Sequence, residues 1–157
     1  MKKEFFDEID KIMENDPDVY LILVGLGWPR VDEFLNKYPE RVINTEASEQ
    51  TALDIAVGLC YAGKKPWVYT ITPFLLRGFE TIRTYIDREN LPVTMVGVGV
   101  NDEYSHDGFS HYAGDVPKIL GVLKNIEQYK PEDVIELKQN MNLIASLNRP
   151  TFLNIHR

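Results

Sequence analysis

The sequence predicts an α/β fold: three layers, αβα, around a mostly parallel sheet. Three observations carry this. Helical and extended patterns alternate along all 157 residues, which argues for strands joined by helical crossovers. Residues 91–100 (LPVTMVGVGV) carry no charge, as expected of a central strand buried on both faces. No linker, internal repeat or low-complexity stretch interrupts the alternation, so one domain spans residues 1–157.

The elements follow in order. Residues 3–14 place Phe5, Phe6, Ile9, Ile12 and Met13 on one helical face, the spacing of an amphipathic helix. Residues 19–25 form a short apolar strand between Asp16-Pro17-Asp18 and Gly25-Leu26-Gly27. That glycine pair lacks the third glycine and the Gly-Lys-Ser/Thr of a nucleotide loop, and Trp28-Pro29 follows, so a tight turn is expected. Residues 31–38 read as helix and 41–44 as strand. Helix 48–62 opens on Ser48 as N-cap, repeats Ala52, Ile55, Ala56, Leu59 and Cys60 at helical spacing, and stops at Gly63. Residues 66–71 are extended, and residues 73–88 form a long amphipathic helix with Pro73 at its start. Beyond the central strand come a short helix at 115–120, an extended stretch at 124–128, a helix over 131–147 opened by Pro131-Glu132-Asp133, and a closing strand at 150–155.

Composition narrows the function. A formal net charge of −7, with no local Lys/Arg cluster, argues against a nucleic-acid or anionic-membrane surface. No run approaches the ~18 apolar residues of a membrane span, and the N-terminus has no apolar stretch behind its lysines, so a cytoplasmic protein is expected. The single cysteine, Cys60, lies on the apolar side of its helix and reads as core. Nucleophilic hydrolysis has no candidate residue, since no Gly-x-Ser-x-Gly elbow is present.

In open parallel sheets the ligand site lies beyond the carboxyl ends of the strands, so the loops after Gly25, Asn44, Ile71 and Val100 should share one rim. Glu49 falls there, an acid in the first turn of an otherwise apolar helix. It is either a carboxylate favoured by the helix dipole or a functional group. Phe74 falls there too, as does the loop 101–114, which is long for a compact domain and holds two of the three histidines. The five-residue spacing of His106 and His111 matches no usual metal-ligand pattern, so no metal site is expected on this chain.

Taken together, five segments resemble the pyrimidine-binding domain of the transketolase family of thiamine diphosphate enzymes, including its 1-deoxy-xylulose-5-phosphate synthase branch. They are Pro39-Glu-Arg-Val-Ile-Asn-Thr-Glu-Ala-Ser-Glu-Gln50, Ala56-Val-Gly-Leu-Cys-Tyr-Ala-Gly-Lys-Lys-Pro66, Pro73-Phe-Leu-Leu-Arg-Gly-Phe-Glu-Thr-Ile-Arg83, Leu91-Pro-Val93 and Asp107-Gly-Phe-Ser-His111. The resemblance implies that Glu49 hydrogen-bonds the aminopyrimidine ring nitrogen and promotes deprotonation of the thiazolium carbon. It implies that Phe74 stacks on the pyrimidine, with Phe79 either lining the same pocket or packing in the core. Arg77 matches an arginine near the substrate phosphate, the other reading being a solvated helix charge. His111, with His106 as a further substrate contact, matches a histidine that reaches the substrate carbonyl or hydroxyls, the other reading being a surface-loop residue. Phe109 stands where the family usually has proline.

The Gly-Asp-Gly motif and later Asn that hold the diphosphate and Mg²⁺ in such enzymes are absent from this sequence. The resemblance therefore implies a partner: a diphosphate-binding subunit of the same enzyme, carrying Mg²⁺, in a heterotetramer with a shared thiamine diphosphate site. The expected function is that of a split transketolase-like transferase acting on a sugar phosphate or 2-oxoacid. Alternatives are a split 2-oxoacid decarboxylase or dehydrogenase β-type subunit and a non-catalytic assembly or regulatory domain.

Overall fold

The computed structural model describes residues 1–25 and 29–157, Pro29 by its backbone alone. The turn expected at Gly25-Leu26-Gly27 and Trp28 thus lies, beyond Gly25, outside the described residues. Six parallel strands, β1 (Val19–Leu23), β2 (Val42–Asn44), β3 (Lys65–Ile71), β4 (Thr94–Val98), β5 (Glu127–Tyr129) and β6 (Thr151–Ile155), form one sheet in the order β2-β1-β3-β4-β6-β5. The chain moves outward from β1 to β2, then crosses to β3 on the other side of β1, so the order reverses between β1 and β3.

Strand alternation divides the apolar residues into two cores. Leu21, Leu23, Trp67, Tyr69, Val96, Val98, Leu153 and Ile155 face α1 (Lys2–Asn15), α2 (Pro29–Lys37) and α6 (Val134–Ser146). The intervening Ile22, Val68, Met95 and Phe152 face α3 (Glu49–Tyr61), the residues after β3, and α5 (Val116–Leu120). The period of two along each strand therefore generates the three layers. α1 is fixed by its aromatic pair: Phe5 stacks on Tyr69 with ring centroids 4.9 Å apart, and Phe6 meets Phe34 edge-on at 5.3 Å. β4 is the buried central strand its uncharged sequence predicts, flanked by β3 and β6. Among the described residues no helix is long and apolar enough to cross a membrane.

The expected continuous helix over 73–88 is corrected. The run opens as a 3-10 helix (Thr72–Gly78), makes one α turn (α4, Phe79–Thr81) and widens to a π turn (Ile82–Asp87). Two contacts account for this. At the start, Thr72 is fully buried and donates its hydroxyl to the Gly99 carbonyl at 2.7 Å, which ties the run to the end of β4. At the end, the wide turn brings Ile82, Ile86 and Asp87 onto the buried side. There the Asp87 carboxylate accepts the Asn125 N–H at 2.7 Å.

Candidate active site

The approach to α3 is a chain of local bonds. Asn44 Oδ1 accepts the Glu46 N–H at 3.0 Å, and the Thr45 N–H reaches the Leu23 carbonyl at 3.0 Å. Glu46 takes a left-handed conformation, φ 51°, a geometry uncommon outside glycine. Gly25 packs against this turn so closely that a Cβ there would lie 3.3 Å from the Ala47 nitrogen. Ser48 sits at the expected N-cap, but its hydroxyl bonds Thr51 Oγ1 at 2.6 Å and no backbone N–H.

The buried stripe of α3 is Glu49, Ala52, Leu53, Ala56 and Val57, while Ile55, Leu59 and Cys60 are half-buried at its margin. Glu49 is thus the first residue of the core-facing stripe and only 5% exposed. A solvent-facing dipole acid does not sit this way. The carboxylate has a counter-charge that sequence reasoning did not find: Arg77 Nη1 donates to Glu49 Oε1 at 2.8 Å. No described residue hydrogen-bonds Oε2. Arg77, far from being a free helix charge, also lays its guanidinium on the Phe74 ring, with Cζ 4.0 Å from the centroid.

Phe74 then meets His111 edge-on, with ring centroids 4.9 Å apart. Glu49, Arg77, Phe74 and His111 therefore form one contiguous chain of contacts from three strand ends: β2 leads to the acid, β3 to the aromatic and arginine, β4 to the histidine. His111 Nδ1 lies 3.1 Å from Ser110 Oγ. His106 is placed apart from this chain, exposed, with Nε2 3.1 Å from Asp107 Oδ2. The structure packs Phe79 against the core on the α3 side of the sheet.

Two residues missed by sequence reasoning organise the loop. Tyr104 is buried and lies between the histidines, 6.2 Å from His106 and 6.3 Å from His111 by ring centroid. It rests on Gly99, φ 93°, where a Cβ would come within 2.5 Å of the tyrosine ring; the glycine closing β4 was the available signal. Glu103 ties the loop base to the end of β6, accepting the Val100 N–H at 2.9 Å and the Arg157 N–H at 3.0 Å, with His156 Nδ1 at 2.5 Å. Burial pushes the Glu103 carboxyl up, but these bonds outweigh it and hold it below the ordinary glutamate value. Phe109, 85% exposed, stacks on Tyr112 at the outer side of the loop.

A three-layer parallel domain with an acid, an aromatic ring and a histidine gathered beyond the carboxyl ends of its strands is an α/β domain of the doubly wound class, with its candidate site where such folds place their ligands. The chain belongs to the transketolase pyrimidine-binding domain family, whose model matches residues 1–157. Among curated relatives it is 27% identical over 156 residues to 1-deoxy-D-xylulose-5-phosphate synthase of Tropheryma whipplei (strain Twist), covering 98% of this chain and 24% of the relative. It is 30% identical over 152 residues to the synthase of the same name from Corynebacterium diphtheriae, covering 94% of this chain and 23% of that one. The chain thus spans about a quarter of the length of the curated relatives it matches. Its fold is that of a split-gene transketolase solved as an inactive β4 tetramer (TM-score 0.86, 23% identity, 99% of this chain and 51% of that one). The transketolase of Leishmania mexicana is similar, with a TM-score of 0.84 and 19% identity over 97% of this chain and 24% of that one.

Proposed function

We propose that this chain supplies the pyrimidine half of a thiamine diphosphate site in a transketolase-like transferase, completed by a diphosphate-binding partner subunit that carries Mg²⁺. The observation that carries the reading is the buried Glu49 carboxylate, with Oε2 free of donors among the described residues, beside the half-buried Phe74 ring. A planar heterocycle with an N–H edge meets a hydrogen-bond acceptor and an apolar face there, so the residues fit the group. When bound, thiamine diphosphate supplies a carbon nucleophile able to carry a fragment from a ketose or 2-oxoacid donor to an acceptor.

The chain's own residues have separate tasks. Glu49 holds a proton at the pyrimidine ring nitrogen, a charge-assisted hydrogen bond in a site shielded from water. Phe74 fixes the plane of the ring. His111, against the Phe74 edge, reaches the substrate carbonyl or hydroxyls as a hydrogen-bond donor. Arg77 is the cation for a substrate phosphate, and His106 a more peripheral contact. The matched synthases support the sugar-phosphate class of substrate. The split-gene transketolase supports a divided enzyme, and its inactive β4 form supports the expectation that this chain turns nothing over unaided.

Calorimetry with thiamine diphosphate and Mg²⁺ tests this, on the chain alone and mixed with a candidate diphosphate-binding polypeptide. Tight binding in the mixture alone is expected, with Glu49→Gln abolishing turnover and preserving the circular-dichroism spectrum. Full activity of Glu49→Gln in the complex refutes the assignment of Glu49, and no binding in either sample refutes the cofactor.

A further inference from the structure

We infer that Arg77 is a built-in stand-in for the pyrimidine, closing the site until the ring displaces it; this rests on the pyrimidine reading above. The guanidinium is planar, is a hydrogen-bond donor on its edge and attracts an aromatic face. It uses both properties here: it lies on Phe74 with Cζ 4.0 Å from the ring centroid, and Nη1 donates to Glu49 Oε1 at 2.8 Å. An aminopyrimidine bound as proposed needs the same two partners, a stacking face and the Glu49 carboxylate. Glu49 Oε2 stays open to the ring, but the ring and the guanidinium cannot both lie on that face of Phe74 at once.

The arrangement has a physical purpose. A buried carboxylate left unpaired is costly, and Glu49 has a side chain only 6% exposed. Arg77 keeps it paired while the site is empty, and the incoming ring takes over with its own N–H donor, so the exchange proceeds without stranding the charge. Opening is feasible because Arg77 is tethered loosely: its side chain is 53% exposed and Glu49 is its only ion-pair partner among the described residues. Once displaced, the guanidinium is a free cation at the mouth of the site. Anionic substrate then gains its partner only after the pyrimidine has entered, which orders binding: cofactor first, substrate second.

The test uses the hydroxymethyl aminopyrimidine fragment of thiamine as probe, titrated into the chain and followed by amide NMR. If Arg77 closes the site about nine-tenths of the time, its removal raises fragment affinity about tenfold. Arg77→Met is therefore expected to bind the fragment about tenfold more tightly than wild type, and Glu49→Gln to lose binding. Methylguanidinium should compete with the fragment in Arg77→Met by refilling the vacated position. Equal affinities for wild type and Arg77→Met overturn the stand-in role alone, provided that Glu49→Gln still loses binding. Unchanged binding by Glu49→Gln overturns the pyrimidine reading instead. If Arg77→Met takes methylguanidinium but not the fragment, the cleft recognises no pyrimidine and both ideas fail.

Discussion

Replacement of Gly97 by alanine should destabilise this protein far more than one added methyl suggests. Gly97 lies in β4, bonded between Thr70 of β3 and Asn154 of β6, so the strand cannot move sideways to make room. A Cβ there would sit 2.6 Å from Thr72 Oγ1, 3.0 Å from Phe152 Cε2 and 3.1 Å from Thr72 Cα, and Thr72 and Phe152 are both buried. Overpacking of this kind costs about 1–3 kcal/mol, and straining the buried bond from Thr72 to the Gly99 carbonyl adds about 1 kcal/mol. A loss of about 2–4 kcal/mol is a large share of the roughly 5–15 kcal/mol that holds such a domain together. Urea unfolding followed by circular dichroism measures it. Gly58→Ala is the internal control: it lies within α3, its Cβ would meet nothing within 4 Å, and the same chemical change should stabilise by about 0.5–1 kcal/mol. If Gly97→Ala stays within about 0.5 kcal/mol of wild type, the range of an ordinary surface change, then the close crossing of the Thr72 turn over β4 is wrong. The placement of Phe74 and Arg77, which follow that turn, falls with it.

Phe74→Ala in the assembled complex should weaken thiamine diphosphate binding by about 1–2 kcal/mol, as expected for loss of an aromatic stacking face, while turnover at saturating cofactor changes less; an unchanged affinity assigns the ring to packing alone. Glu103→Gln tests the anchor of the loop bearing His111. Because the Glu103 carboxyl is held below its ordinary value of 4.5, its stabilisation is present above that value and is lost as pH falls through the lower folded one. The variant should therefore be less stable than wild type by about 1–3 kcal/mol at neutral pH and equal to it in strong acid. A difference that persists in acid contradicts the charge argument. Burial pushes the Cys60 thiol up to about 12, so alkylation by iodoacetamide at neutral pH should be on the order of a hundredfold slower in the folded chain than in urea. Equal rates would mean that this face of α3 is open.

Much of the architecture is legible because it depends on local periodicity. The α1 stripe of Phe5, Phe6, Ile9, Ile12 and Met13 is buried as its spacing predicts, and the uncharged stretch around β4 is the central strand. Helix ends shift by a few residues, as when the helix expected from Pro131 begins at Val134 with Asp133 capping the Glu136 N–H. The run after β3 is not legible in detail. Its 3-10 opening depends on Thr72 reaching Gly99, and its π turn on Asp87 meeting Asn125, contacts between elements that no pattern within residues 72–88 encodes. The same limit separates placing Glu49 on the rim from finding its partner. The interval from Glu49 to Arg77 spans a helix and a strand, and only the assembled sheet brings the two together.

The site is compact despite the sheet order. β2, β3 and β4 are not all neighbours, since β1 lies between β2 and β3, yet the segments that follow them converge. Two features close the distance. The 3-10 turn after β3 packs against α3 so tightly that a Cβ on Gly78 would lie 3.3 Å from Gln50 Cα, next to Glu49 in sequence. The loop after β4 is folded back by Tyr104 on Gly99 and by the Ala113 N–H bonded to the Asn101 carbonyl at 2.8 Å. Gly78 lets backbone approach backbone at the first crossing, and Gly99 makes room for the Tyr104 ring at the second. The chemistry of the site is thus coupled to packing: a change that widens either crossing separates Glu49 from Arg77 or Phe74 from His111 without touching any of the four.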